Sequence, residues 1–228
     1  MSRVLVIGGS RGIGNNVIKE QLANGYECVN ISRNSSGISD NLLQEFNLDV
    51  TKDDLPDVDN IRSIVYCPGS IILKPFGQIT EDDYKNDFEI NVLGAVKVLK
   101  KVINNLKEAD GASVVFISTV AANVGLPFHA SVSAAKSGLE GMCKSLASEY
   151  ASSKICFNVV APSLTDTPMA KNLLRTERLV EASKERNPMK QIGSPEQVAK
   201  SIDFLLDAHK NWITGQVISA DGGMVNLK

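Results

Sequence analysis

Paired cysteines are missing from this 228-residue sequence: Cys28, Cys67, Cys143 and Cys156 are widely spaced, form no CxxC pair and mostly sit inside apolar runs. That pattern reads as buried free thiols in a reducing compartment, and no metal site is expected. Charge of one sign is missing too. Lys and Arg number 24 against 26 Asp and Glu, a net charge of −2, which leaves no basic excess to hold nucleic acid or an anionic membrane. No apolar stretch approaches membrane-spanning length. Met1 leads almost directly into the strand-like run Val4 to Ile7, which leaves no room for a signal peptide, so a cytoplasmic protein is expected. Repeats, low-complexity tracts and linkers are absent as well. With 43% hydrophobic and 22% charged residues the chain reads as one globular domain over residues 1–228.

What is present is alternation. Short β-branched runs predict strands at Arg3 to Ile7, Glu27 to Ile31, Glu45 to Leu48, Ile61 to Tyr66, Ala112 to Ile117, Ile155 to Val160 and Gln216 to Ile218. Between them helical periodicity predicts a helix from Gly12 to Asn24, stopped by Gly25. A long second helix is predicted from Thr80 through Phe88, Val92, Ala95, Leu99, Val102 and Leu106, with Glu81, Asp82 and Asp83 in its first turn. A third runs from Ser131 to Tyr150, and a fourth opens on the capping sequence Ser194, Pro195, Glu196, Gln197. This is the pattern of an α/β fold, a doubly wound parallel sheet of about seven strands with helices on both faces. The connections flanking the third strand are short, so crossover helices there are expected to be one or two turns or absent.

The stretch VLVIGGSRGIG sets Gly8, Gly12 and Gly14 after a buried strand and at the opening of an amphipathic helix. Glycines there permit positive φ and let a pyrophosphate approach the backbone, while the helix N-terminus offers free N–H groups and positive potential. A nicotinamide dinucleotide is the expected ligand, with Ser10, Arg11 and Ile13 in the same turn. The second strand ends Asn30, Ile31, Ser32, Arg33, with no acid to hydrogen-bond a free ribose 2′-hydroxyl. Arg33 and Arg11 instead suit a 2′-phosphate, so NADP(H) is favoured over NAD(H); the alternative is that both are solvated loop arginines.

Together these residues resemble the short-chain dehydrogenase/reductase family, from Val4 to Gly223. The resemblance implies a Rossmann-like sheet. It also implies that Asp49, followed by Val50, meets the adenine, that Asn91 in INVLG is the catalytic-tetrad asparagine, and that Lys136 in SVSAAKSGLEG is the catalytic lysine. Cys67, Pro68 and Gly69 stand where the family has a cofactor-facing loop. Pro162, Ser163, Thr165 and Thr167 match the segment that holds the carboxamide, and the closing Asp221 to Gly223 matches a structural hallmark. Homotetramers or homodimers built on the helices beginning at Thr80 and Ser131 are implied too.

The family places a tyrosine four residues before the lysine and a serine thirteen before that tyrosine; this chain has Val132 and Thr119. A hydroxyl at Thr119 still serves a substrate oxygen, but an isopropyl group has no proton to give. Thr119, Ser131, Ser133, His129 and a water held by Lys136 and Asn91 are the candidate proton sources. His129 reads more readily as a loop histidine bonded to backbone, and the two serines read equally as helix capping residues. Two functions stay open: an NADP(H)-dependent oxidoreductase with a non-standard donor, and a dinucleotide-binding sensor or interaction protein without turnover. The stretch Thr167 to Pro188, with Met169, Leu173, Leu174 and Leu179, is expected either to cover a partly apolar small-molecule substrate or to pack on the neighbouring sheet.

Overall fold

The computed structural model describes residues 3–207 and 212–227. Its centre is a parallel sheet of seven strands among the described residues: β1 (Arg3–Ile7), β2 (Glu27–Ser32), β3 (Leu43–Asn47), β4 (Ile61–Tyr66), β5 (Ala112–Ile117), β6 (Ile155–Pro162) and β7 (Val217–Ala220). The order across the sheet is β3-β2-β1-β4-β5-β6-β7, so the chain reverses its direction of travel between β1 and β4.

Both faces are buried, which is why these strands read as unbroken apolar runs rather than as alternation. Within β1, Leu5 and Ile7 enter one core with Ile64, Val98, Val102 and Leu139, while Val4 and Val6 enter the other with Val17, Ile18, Val198 and Ile202. Successive side chains of a strand point to opposite faces, and each face meets its own helices. Helices α1 (Gly12–Ala23) and α6 (Pro195–Leu206) cover the second core; α3 (Gly94–Glu108) and α4 (Ala130–Tyr150) cover the first. Gly25 adopts φ +79 just past α1, and Ser194 with Gln197 forms the capping box that opens α6.

Strands β2 and β6 run on to Ser32 and Pro162, and three further expectations need correction. The edge strand β3 starts at Leu43 and ends at Asn47, because its pairing with β2 runs Cys28↔Leu43 to Ser32↔Asn47. Strand β7 starts at Val217 and continues to Ala220, held by pairing of Val159 to Pro162 with Val217 to Ala220. The third correction concerns the long helix from Thr80. Thr80 and Asp83 do form a capping box, but α2 (Glu81–Phe88) passes into a π-helical turn at Glu89–Leu93 before α3 begins. The cause lies on the sheet. Tyr66 Oη donates to Ile90 O at 2.6 Å, the carbonyl that Gly94 N–H would take in an α-helix, and Gly94 N–H bonds Glu89 O instead. A Cβ at Gly94 would lie 2.2 Å from that same hydroxyl.

No helix joins β2 to β3 or β3 to β4 among the described residues. Helix α5 (Glu177–Arg186) lies inside the stretch expected to cover the site. No helix of the described residues is long and apolar enough to cross a membrane.

Candidate active site

A cleft of about 1180 Å³ opens along the carboxyl ends of the strands, beginning at the reversal between β1 and β4. Its floor is the glycine turn. Gly8 and Gly12 have φ +83 and +59, conformations that a side chain strains to adopt. Gly14 is required for a second reason: a Cβ there would stand 2.5 Å from Gly8 O. Arg11 precedes α1 in extended backbone and its side chain makes no capping bond, so the first-turn N–H groups have no side-chain partner from it. A cradle that no side chain can fill, at a helix start, inside a cleft this size, fits a dinucleotide pyrophosphate.

Ser10, Arg11, Ile13, Ser32, Arg33, Asp49 and Val50 all line this end of the cleft. The Asp49 carboxyl is held below the usual carboxylate range, chiefly by the Thr51 hydroxyl at 2.7 Å, with Arg33 adding attraction. Sequence reasoning missed the acid behind them. Glu45 on β3 faces Asn30 and accepts from Asn30 Nδ2, Ser36 N and Ser35 Oγ, each at 2.8 Å. Burial alone would raise its carboxyl, yet these donors hold it low. Asn30 in turn accepts from Gly9 N at 3.0 Å, and a Cβ on Gly9 would meet Asn30 Oδ1 at 2.5 Å. Glu45 is therefore spent on bracing the turn and the Ser35–Ser36 loop. Only the strand pairing makes that visible.

Cys67, Pro68 and Gly69, after β4, line the middle of the cleft with Thr119 and Lys136. Burial pushes the Cys67 thiol up to about 12 and keeps it protonated. Lys136 Nζ donates to Ile117 O at 2.6 Å. Desolvation lowers its ammonium to about 8 against the opposing pull of Cys67, Asp87 and Glu140. Asn91 does not line the cleft; it is fully buried behind Gly69. Its Nδ2 donates to Asp87 O at 2.7 Å and to Ser70 Oγ at 3.1 Å, whereas its Oδ1 has no partner. A Cβ on Gly69 would lie 3.3 Å from that oxygen and 3.5 Å from Lys136 Nζ, so glycine leaves open a gap between the two.

Val132 and Lys136, one turn apart on α4, both line the cleft. None of the four tyrosines, Tyr26, Tyr66, Tyr84 and Tyr150, does so. Of the candidate proton sources, Ser131 and Ser133 also do not. Ser131 Oγ turns inward to Asp87 Oδ2 at 2.6 Å, and Ser133 Oγ donates to Ala121 O at 2.8 Å. Thr119 and His129 remain at the cleft. Thr119 Oγ1 accepts from Ala121 N, which leaves its proton free, and His129 Nδ1 is tied to Pro127 O at 2.7 Å, which leaves Nε2 unclaimed.

The far wall carries Pro162, Ser163, Thr165 and Thr167, and over them Met169, Leu173 and Leu179; Leu174 does not reach the cleft. Phe128, more than half exposed, lines the same end in left-handed backbone at φ +70, a strained conformation for an aromatic residue. The wall is closed from behind by Asp221, whose carboxylate accepts from Gly223 N and Val225 N at 2.8 Å.

Known proteins share this fold. A family model described as enoyl-(acyl carrier protein) reductase matches residues 49–225. The 3-oxoacyl-[acyl-carrier-protein] reductase MabA of Mycobacterium tuberculosis is 30% identical over 232 residues, covering 97% of this chain and 92% of that protein. A short chain dehydrogenase family protein from Francisella tularensis superposes with a TM-score of 0.92 at 27% identity over all of both chains. The structure of ElxO with NADP bound superposes at 0.89 with 25% identity over 99% of each chain. By these matches the chain belongs to the short-chain dehydrogenase/reductase family.

Proposed function

We propose that this protein is an NADP(H)-dependent oxidoreductase, a reductase of a carbonyl or activated alkene on a partly apolar small molecule, with a proton donor other than tyrosine. The observation that carries the reading is one cleft holding the glycine cradle, Arg11 and Arg33 at one end and Thr119 with Lys136 at the other. When bound, the reduced nicotinamide supplies a hydride. The chain's residues do the rest. The glycine turn and the start of α1 hold the pyrophosphate, and the two arginines hold the 2′-phosphate. Lys136 binds the ribose hydroxyls. The Thr119 hydroxyl steadies the oxygen of the acceptor, and one proton reaches that oxygen from Thr119, His129 or a water in the Gly69 gap. Met169, Leu173, Leu179 and Phe128 exclude water from the apolar part of the substrate. The 3-oxoacyl-[acyl-carrier-protein] reductase MabA makes a β-keto thioester the first acceptor to try. The chain works as a single domain, in a homodimer or homotetramer built on α2, α3 and α4, where Phe88 and Leu93 are exposed.

Val132 favours one second reading, a dinucleotide-binding sensor or interaction protein without turnover. Loss of a general acid lowers a rate by about 10² to 10⁴, so slow turnover stays physically open. NADPH consumption against ketones, aldehydes, quinones and activated alkenes, run beside Val132→Tyr and Lys136→Ala, separates the two. Wild-type turnover abolished by Lys136→Ala supports the enzyme. An inert wild type that binds NADPH, beside a Val132→Tyr variant that turns over, supports the sensor.

A further inference from the structure

Helix α5 meets the cleft along one face. Leu179, Ala182, Ser183 and Arg186, at positions i, i+3, i+4 and i+7, line the cleft, whereas Glu177, Arg178, Glu181 and Glu185 do not. That face changes character along its length: Leu179 and Ala182 are apolar, and about 10 Å further along the axis from Leu179 it ends on a guanidinium. Arg186 Nη2 donates to Ser183 Oγ at 3.3 Å, and Ser183 Oγ donates to Leu179 O at 2.7 Å, so the arginine lies back along the cleft side of the helix. The helix end beneath it is pinned. Asn187 is buried, donates from Nδ2 to Asp221 O at 2.8 Å and accepts from Met189 N at 2.9 Å, and Ser163 Oγ donates to the same Asp221 carbonyl at 3.3 Å. The end of α5 is thereby tied to the far wall of the cleft.

The guanidinium has no carboxylate to meet. Arg186 enters no ion pair among the described residues. The nearest acids of its own helix serve other cations: Glu181 holds Lys184 at 2.7 Å, and Glu185 holds Lys190 at 3.2 Å. Among the described residues the cleft is lined by two carboxylates, Asp49 next to Thr51 and Glu89 on the π-helical turn, and neither pairs with Arg186. A cation that a pinned helix end holds at a cleft, past apolar side chains and without an acid, is arranged for an anion that arrives with the ligand. We propose that the substrate is a carbonyl compound with an apolar body and a terminal carboxylate, and that Arg186 selects it by binding that carboxylate. The inference rests on the oxidoreductase reading for the reacting end of the molecule; the charged end follows from α5. A lone guanidinium matches a monoanionic carboxylate through two parallel N–H···O bonds. A phosphate dianion calls for a second cation, and the other lysines and arginines that line the cleft stand elsewhere in it: Arg11 and Arg33 at the glycine turn, Lys52 near Asp49, Lys136 beside Gly69.

The test compares ligands that differ only at the charged end. NADPH consumption is followed with straight-chain ketones of graded length that end in a carboxylate, a phosphate monoester or a methyl ester, using wild type, Arg186→Gln, Arg186→Lys and Arg186→Glu. Wild type prefers the carboxylate to the ester by about tenfold in kcat/KM, a modest factor because the arginine is exposed to water. Arg186→Gln, which can still donate to Ser183, brings that ratio close to parity; Arg186→Lys restores part of it, and Arg186→Glu inverts it in favour of the ester. A merely structural part, as a cation at the C-terminal end of α5, lowers the melting temperature and slows all three ketones alike. That result overturns the proposal, and so does a wild type that treats acid and ester equally or prefers the phosphate. An NADPH dissociation constant raised in Arg186→Gln by as large a factor as the preference lost would put the arginine on the cofactor and overturn it too. If wild type transfers no hydride to any ketone, the oxidoreductase reading fails, and calorimetric titration of the same acids and esters into the NADP⁺-loaded protein still decides the role of Arg186. Tighter binding of the acid that Arg186→Gln abolishes supports the assignment; equal binding of acid and ester, or none of either, overturns it.

Discussion

Lys136→Met isolates the energetic consequence of burying an ammonium group in this cleft. The lysine is 6% exposed, and desolvation lowers it from the usual 10.5 to about 8. Each unit corresponds to about 1.36 kcal/mol, so holding the charge at neutral pH opposes folding by about 3 kcal/mol. The sign follows from proton counting. Between about pH 8 and 10.5 the unfolded chain binds the proton and the folded chain does not, so the lysine's contribution to stability rises with pH across that window. Below pH 8 both states hold the proton, and the penalty is complete and constant. Methionine removes the titration but leaves Ile117 O without its donor, an effect that does not depend on pH. Urea unfolding of both proteins at pH 7.5 and at half-unit steps to pH 10.5 therefore has a definite outcome: wild type gains up to about 3 kcal/mol relative to Lys136→Met. The other lysines, cysteines and tyrosines that titrate there cancel in the difference. A flat difference across the window would refute a desolvated Lys136. The retention of so unfavourable a charge is the expected trade of stability for a functional site.

Arg33→Ala removes a charge-assisted hydrogen bond of about 1.5–3 kcal/mol to a 2′-phosphate, so NADPH dissociation constants rise roughly 10- to 100-fold by fluorescence titration while NADH is little affected. Equal weakening of both cofactors counts against the phosphate role. Gly14→Ala pushes a methyl against Gly8 O and the Gly9 backbone, where no rotamer gives relief. It destabilises by about 1–3 kcal/mol, read as a melting temperature lower by several degrees, and a wild-type melting curve would contradict the packing. Glu45→Gln weakens the brace on Asn30 and the Ser35–Ser36 loop. The lowered carboxyl stabilises the fold above its unfolded value near 4.3 and loses that contribution as pH falls through the folded value, so the gap in thermal stability between variant and wild type narrows below about pH 4.

The glycine turn, the strands and the helix caps were legible because each is local: a Gly needs its own φ, a Ser caps a backbone N–H three residues on, and a buried strand carries its own apolar run. From these the sequence by itself determined the doubly wound sheet and the glycine turn that opens it, and it singled out Val132. The tertiary structure decided what depends on partners far apart in the chain. Tyr66 on β4 takes the Ile90 carbonyl and breaks a helix that periodicity draws as continuous. Glu45, an unremarkable edge-strand residue by sequence, braces the turn across β2. Ser131 and Ser133 looked like donors beside Val132 until their hydroxyls were found spent on Asp87 and Ala121. The direction of the Asn91 amide is set by its bonds to the Asp87 backbone carbonyl and to Ser70 on another element. A hydrogen-bond donor is used up by whichever acceptor the fold brings within 3 Å, and for these groups that acceptor belongs to another element of the fold or to the far side of a turn, where no pattern in neighbouring residues can point to it.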